Sequence, residues 1–495
     1  MYKNLKIHFI GIGGIGMSGI AEVLINLGYP VSGSDTRISP MTEHLQTLGA
    51  QISYQHVSDN VISADVAVYS SAVAKDNIEI QTALKLGIPV IRRAEMLAEL
   101  MRLKKYGIAV AGTHGKTTTT SLLAHVLEQN DLDPTIVIGG KLNQLGTNAK
   151  LGKGDFMVVE ADESDGSFLH LSPTLTVITN IDLDHMENFK DANHYISAFD
   201  EFVSKIPFYG LCVLCAEDPK TLALAKRIDK RMQTYGFARK WDWSAEDIQQ
   251  SNFKTTFKLF RAGTYVDEFA IQLMGKHNVL NALAVIAIAS ELGVSLPQIQ
   301  KSLLEFRGVG RRLECLYQDE HILLFDDYGH HPTEIRATLE ALRRAFPNRY
   351  LKVLFQPHRF TRLKYLFDDF VQCFKDADAV FLAPLYTAGE EPIRGISSQT
   401  LFDAMQGVHP RTSLLLPSDD IAQMMVSQLV DGDMILTLGA GDVTQIAKKM
   451  RKLLETQTSR VKAPGLSDSP NSAIGASDNQ VVLESKPKNV GTQNG

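Results

Sequence analysis

The sequence predicts an α/β protein of three domains: an N-terminal Rossmann-like domain, a central P-loop-type, ATPase-like sheet, and a C-terminal Rossmann-like domain. Three observations predict this. At 495 residues the chain is too long for one core of ordinary size. Short β-branched runs alternate with helical patterns in three successive series, the signature of parallel sheets covered by helices. Two of these series carry a glycine-rich joint between a strand and a helix, the place where a parallel sheet binds phosphate.

The first domain is expected over residues 1–105, with strands at Lys6–Ile10, Val31–Ser34, Val66–Tyr69 and Val90–Ile91 and a helix over Met17–Leu27. Residues 106–309 form the second. Its strands read as Gly107–Ala111, Thr135–Ile138, Phe156–Glu160, Leu175–Thr179 and Leu211–Leu214, followed by a hairpin of Phe253–Phe260 and Tyr265–Leu273 and an apolar helix over Val279–Leu292. Gly308-Val-Gly310, set among arginines, reads as a hinge. The third domain, residues 310–457, has strands Ile322–Phe325, Leu351–Phe355, Ala379–Ala383 and Met434–Leu438. From 458 to 495 the apolar residues are sparse and aperiodic, so burial cannot offset ordering entropy and a disordered tail is expected.

Composition sets the outer bounds. Hydrophobic residues at 44%, charged residues at 21% and a net charge of −6 describe a globular protein without general affinity for nucleic acid or anionic membranes. Any polyanionic ligand must then be held by local groups. Cys212, Cys215, Cys315 and Cys373 are too few and too uneven for a disulfide framework, which points to a reducing compartment. Lys3 and Lys6 ahead of an apolar stretch imitate a secretory signal, but Gly11, Gly13, Gly14, Gly16 and Gly19 interrupt that stretch and no small-residue cleavage site follows. The expected protein is cytoplasmic, a monomer or weak homodimer, with no nucleic-acid or membrane partner.

Gly11-Ile-Gly-Gly-Ile-Gly16 follows a strand and opens a helix, and Asp35 ends the next strand. That pattern seats a pyrophosphate on a helix N-terminus beside a ribose, which fits the dinucleotide of an NAD-dependent oxidoreductase and fits a UDP-sugar as well. The second joint narrows the choice. Strand Gly107–Ala111 runs directly into Gly112, Thr113, His114, Gly115, Lys116, Thr117 and Thr118, and an amphipathic helix follows. Backbone N–H groups and the helix dipole face an anion there, Lys116 can reach terminal phosphates and Thr117 offers a hydroxyl to Mg²⁺. Val110 stands where the common Walker spacing has its first glycine. ATP and Mg²⁺ are the expected cofactors. Glu160, at a strand end, is the first choice of metal-ligating carboxylate, with Asp162, Asp165, Asp184 and His185 at the same rim. Phosphoryl transfer is a step a dehydrogenase does not need. Zinc is not expected, because Cys212 and Cys215 lie within an apolar strand.

These residues resemble a known family, the Mur ligases. The resemblance is carried by Gly11–Met17, Ser32-Gly-Ser-Asp35, Ser70-Ser-Ala-Val73, Gly112–Thr118, Glu160-Ala-Asp-Glu-Ser-Asp165, Gly275-Lys-His-Asn278 with Asn281, Gly310-Arg-Arg-Leu-Glu314, Asp326-Asp-Tyr-Gly-His-His-Pro-Thr-Glu334, and Gln356-Pro-His-Arg359 with Arg362. Only the segment from about Ser459 onward has no counterpart. The resemblance implies an amide-forming ligase with UDP-N-acetylmuramate and L-alanine as substrates. It implies Gly11, Gly13, Gly14 and Gly16 at the diphosphate, Asp35 and Ser70 near the uridine and Ser71 also at the UDP-sugar, and ATP on Gly112–Thr118 with His277, Asn278 and Asn281 at adenine. Thr117, Glu160 and His185 would hold the metal. Asp326, Tyr328, His358, Arg359 and Arg362 would meet the amino acid, and Lys116, His185, His330, Arg359 and Arg362 would carry the reaction. A sister activity that attaches a whole peptide to the same sugar acid stays open, as does the oxidoreductase.

Overall fold

The structure, a computed structural model, describes residues 4–70, 72–139, 148–184, 186–409, 411–417 and 420–462. Among these residues the strands form three sheets. The first contains β1 (Ile7–Ile10), β2 (Val31–Ser34), β3 (Gln51–Ser53), β4 (Val66–Tyr69) and β5 (Val90–Arg92), all parallel in the order β3-β2-β1-β4-β5. Chain direction across the sheet reverses between β1 and β4, which opens a crevice beyond their C-terminal ends. The Gly11–Gly16 turn leaves β1 at that point.

The central sheet contains β6 (Tyr106–Ala111), β7 (Thr135–Val137), β8 (Ala149–Lys150), β9 (Phe156–Glu160), β10 (Leu175–Ile178), β11 (Leu211–Cys215), β12 (Met232–Gly236), β13 (Trp243–Ser251), β14 (Lys254–Arg261) and β15 (Thr264–Ile271). Its order is β15-β14-β13-β12-β11-β10-β6-β9-β7-β8. Ile108 and Val110 of β6 pack into a core shared with helices Lys116–Gln129 and Lys276–Glu291, while Ala109 and Ala111 face the opposite core. Burial on both faces explains the unbroken apolar run. That second core also holds Phe9, Leu97 and Met101 of the first domain with Phe168 and Phe199 of the central one, so the two domains share an apolar interior.

The third sheet contains β16 (Glu314–Gln318), β17 (Leu323–Asp327), β18 (Tyr350–Phe355), β19 (Ala379–Leu382), β20 (Thr412–Leu414) and β21 (Asp433–Leu438), ordered β16-β17-β21-β18-β19-β20 with only the β16–β17 pair antiparallel. Phe325 and Val353 fill one face and Leu324, Leu354 and Ile435 the other.

Where the structure departs from the sequence reading, patterning explains it. The expected hairpin is the end of a three-stranded meander, because β13 begins on buried Trp243 and Ala245 but continues through residues 246–251, of which only Ile248 is apolar. The C-terminal helix Val443–Lys462 runs past residue 458, where the tail was expected to begin, since Val443, Ala447, Met450 and Leu454 place one apolar stripe on the third domain. Residues 463–495 of that expected tail lie outside the described residues. Around the expected hinge, Gly308 has φ 85°, and Arg311 and Leu313 hold left-handed backbone at 59° and 49°. No helix among the described residues is long and apolar enough to cross a membrane.

Candidate active site

The first glycine joint is held from behind. Gly11 and Ile12 donate their N–H groups to the Ser34 carbonyl at 2.8 and 2.9 Å, and Gly13 donates to Asp35 Oδ2 at 2.8 Å. Asp35 thus shapes the turn, while its Oδ1 accepts from the Thr36 and Arg37 N–H groups. The helix Ile15–Asn26 starts at Gly14 without a side-chain cap, which leaves its first-turn N–H groups for an anion. A Cβ on Gly16 would lie 3.1 Å from the Arg93 guanidinium, and a cavity of about 250 Å³ beside it is lined by Tyr69, Lys75, Arg92 and Arg93. Those cations escaped the sequence reading because they belong to no motif. Ser70 sits in the turn after β4, accepting from Ala72 and Val73; Ser71 lies outside the described residues.

At the second joint Gly112 and Gly115 have φ 124° and 82°, and a Cβ on Gly112 would approach Thr179 Oγ1 to 2.2 Å. The loop therefore requires glycine at both corners. Lys116 Nζ donates to the Gly112 and Thr113 carbonyls at 2.6 and 3.0 Å and pairs with buried Glu163 at 2.7 Å. Burial pushes the ammonium down, but Glu163, Glu160 and Asp162 more than offset it and hold Lys116 above its ordinary pKa. Thr117 Oγ1 donates to both oxygens of Glu160 at 3.0 Å, and Arg312 reaches the same hydroxyl at 3.3 Å. A hydroxyl and a carboxylate side by side are the hard oxygen donors Mg²⁺ takes. His185 lies outside the described residues.

A cavity of about 410 Å³ opens from this loop. His114, Gly115 and Thr118 form its floor and His277, Asn278 and Asn281 one wall. Asn278 donates to the Met274 carbonyl at 2.7 Å and accepts from Asn281 at 3.0 Å, so both amides are fixed. Burial lowers His277 to about 4, which keeps its imidazole neutral.

A second cavity, of about 250 Å³, brings Lys116, Thr117 and Glu160 together with Tyr328, His330, His358, Arg359 and Arg362 of the third domain. Arg359 sits at φ 67°, a left-handed conformation that costs a bulky residue on the order of 1–3 kcal/mol and is found where function holds it. Arg362 grips Asp184 of the central domain through Nε and Nη2 at 3.3 and 3.2 Å, with Nη1 donating to His358 Nδ1 at 3.2 Å. Burial and the Arg362 charge lower His330 to about 3, and burial with Arg362 and Arg359 lowers His358 to about 4.

Asp326 departs from the expectation. Its carboxylate accepts from Thr437 at 2.6 Å and Thr444 at 2.9 Å inside the third domain, away from the cleft. Strand alternation turns its neighbour Asp327 toward the ATP-side cavity instead, where burial raises it to about 6.

The two halves of the cleft meet through charge. His114 Nδ1 lies 3.1 Å from Glu334 and Nε2 lies 3.2 Å from Asp182, which also accepts from Thr333 at 2.8 Å. Burial would lower His114, but the Asp182 and Glu334 carboxylates raise it to about 9. A histidine whose folded pKa exceeds its unfolded value of about 6.5 stabilises fully below that pH and loses the contribution as pH rises through the folded value. The melting temperature should therefore fall between pH ~6.5 and ~9 by more in the native protein than in His114→Gln, on the order of 3 kcal/mol of lost stability. Parallel melting curves for the two proteins across that range would count against the pairing.

Comparison with known proteins identifies the family of all three domains. Family models described as the Mur ligase family catalytic domain, the Mur ligase middle domain, and the Mur ligase glutamate ligase domain match residues 6–105, 110–289 and 311–441. A UDP-N-acetylmuramate--L-alanine ligase of Geobacter sp. (strain M21) is 51% identical over 452 residues, covering 91% of this chain and 98% of its own. The chain belongs to the Mur ligase family. The crystal structure of a Thermotoga maritima UDP-N-acetylmuramate-alanine ligase superposes with a TM-score of 0.78 at 32% identity, covering 92% of this chain and all 100% of that one. A murein peptide ligase of Psychrobacter arcticus superposes with a TM-score of 0.67 at 26% identity, covering 91% of this chain and 99% of that one. In this Mur ligase, Asp182, Arg312 and Asp327 line the cleft and Glu163 backs it as the buried partner of Lys116, although no role was expected for them. Glu334 did leave a signal: His331-Pro-Thr-Glu334 has the spacing of a capping box, and Glu334 accepts the His331 N–H while its other oxygen meets His114.

Proposed function

We propose that this chain is an ATP-dependent ligase that joins L-alanine to the lactyl carboxylate of UDP-N-acetylmuramate and releases ADP and phosphate, a step of peptidoglycan precursor synthesis in the cytoplasm. One observation carries the reading: the ATP-side cavity and the basic rim of the third domain adjoin at the same loop, sharing His114, Gly115, Arg312 and Glu334, with Lys116, Thr117 and Glu160 on the side of the basic rim. A carboxylate becomes an acyl donor once an oxygen is phosphorylated, and the alanine amine then displaces phosphate. Every reacting group but the amine is anionic, so the barrier is chiefly electrostatic. Lys116, Arg359 and Arg362 supply positive charge around the cleft. Thr117 and Glu160 fit Mg²⁺, which when bound would neutralise phosphate oxygens. His330 Nδ1 lies 3.1 Å from the Tyr328 carbonyl, which assigns its proton there and leaves a lone pair on Nε2 for the amine side. A small pocket of about 30 Å³ beside Arg359 and Arg362, walled by Leu183, Met186 and Leu366, has room for a methyl-sized side chain.

The test is release of phosphate from ATP. It should require both UDP-N-acetylmuramate and L-alanine, with a tripeptide unable to replace alanine and NAD(H) without effect. Turnover independent of the sugar, or a preference for the tripeptide, would overturn the reading.

A further inference from the structure

Behind the first glycine joint lies a polar cluster that the ligation chemistry does not use. Glu79, on helix Ile78–Lys85, is fully buried. Its Oε2 accepts from Ser34 Oγ at 2.6 Å and lies 3.4 Å from His8 Nε2. Its Oε1 accepts from Asn60 Nδ2 at 2.5 Å and from the Val57 N–H at 3.3 Å. The donors come from β1, β2 and the segment after β3. His8 Nδ1 is 2.9 Å from Ser32 Oγ, and His56 Nδ1 is 3.1 Å from Ser34 Oγ.

One proton assignment satisfies this arrangement. Ser34 gives its hydroxyl proton to Glu79, so Ser34 Oγ accepts from His56 Nδ1–H, while His8 donates Nε2–H to Glu79 and accepts from Ser32. An ionised carboxylate is then the acceptor at the centre. Burial alone would raise Glu79, but hydrogen bonds from His8, Ser34 and Asn60 bring it down to about 2.

Ser34 is where the cluster reaches the ligand side. Its carbonyl takes the Gly11 and Ile12 N–H groups, and the residue after it, Asp35, takes the Gly13 N–H. The turn is therefore gripped by two carboxylates, Asp35 directly and Glu79 through Ser34. A buried charge is a costly way to fill space and contributes by fixing its donors in one geometry. We propose that Glu79 is a positioning residue for UDP-sugar binding: through Ser34 it sets the end of β2 and thereby the backbone of the diphosphate-binding turn. This rests on the assignment of the Gly11–Gly16 turn to the UDP-sugar.

Glu79→Gln keeps the shape but puts an amide NH₂ against either Ser34 or Asn60, where two donors would then face each other. The dissociation constant for UDP-N-acetylmuramate, measured by calorimetry on the full chain, should rise roughly tenfold in Glu79→Gln and comparably in Ser34→Ala. The double variant should be no weaker than Glu79→Gln alone, since both act along one path. At saturating substrate kcat should stay within about twofold, as should KM for ATP and for alanine. Additive losses, equal losses for all three substrates, or a dissociation constant unchanged within about twofold in both single variants would each overturn the proposal. Gly13→Ala separates it from the underlying assignment, because the new Cβ would come within 2.8 Å of Asp35 Oδ2 and disturb the turn itself. Unchanged binding in Gly13→Ala removes the UDP-sugar from the turn; weakened binding there with normal Glu79→Gln and Ser34→Ala removes only the relay.

Discussion

Replacing Lys116 by Ala should lower turnover by roughly 10²-fold or more, the scale on which a preorganised charge at a developing anion acts. The structure adds a complication, since Lys116 is also the counter-ion of Glu163, whose side chain is only 1% exposed. Removing the ammonium strands a carboxylate in the interior, and breaking a buried pair from one side costs about 3–5 kcal/mol. A slow Lys116→Ala protein could therefore be slow because it is partly unfolded. Lys116→Ala/Glu163→Gln separates the two effects. The amide removes the stranded charge, so the melting temperature should recover toward the native value while the rate of phosphate release stays low. Recovery of turnover together with stability would mean that Lys116 serves only to neutralise Glu163, and the phosphate-binding assignment would fall.

The same pair illustrates what was legible in the sequence. Lys116 and Thr117 announce themselves, because a strand, a glycine loop and a helix in direct succession leave one place for their side chains. Glu163 does not: it stands in an acidic run with Asp162 and Asp165, and only tertiary packing decides which of these is buried. The three sheets follow from alternation of β-branched runs with helical patterns, and β2, β4 and β9 have the limits read from the sequence. Short edge strands such as β3, β8 and β20 span only three, two and three residues and carry too little pattern to be seen. Asp326 and Asp327 mark a further limit. Adjacent strand residues point to opposite faces, and a motif that names both cannot say which one faces the cleft until the register of β17 against β21 is known.

Arg362 is the second position where a large effect is expected. Its side chain is 5% exposed and that of Asp184 is 9%, so their two-point contact is a buried link between the third and central domains. Arg362→Ala takes away the bidentate partner of Asp184 and should weaken domain closure by about 3–5 kcal/mol. Lysine should rescue little, because a point charge cannot reproduce the planar fork. Docking alone predicts that Asp184→Asn, which keeps the guanidinium, does comparable harm to the rate. A charge placed for the reacting anions predicts instead that Arg362→Ala is slower than Asp184→Asn by a further tenfold or so. The pH profile supplies an independent reading. Arg362 helps to depress both His330, near 3, and His358, near 4, so its removal should raise both and move the acid limb of the rate profile to higher pH. An acid limb that stays in place in Arg362→Ala, with a rate no lower than that of Asp184→Asn, would reduce Arg362 to an interdomain strut. The cleft's positive charge would then have to come from Lys116, Arg312 and Arg359.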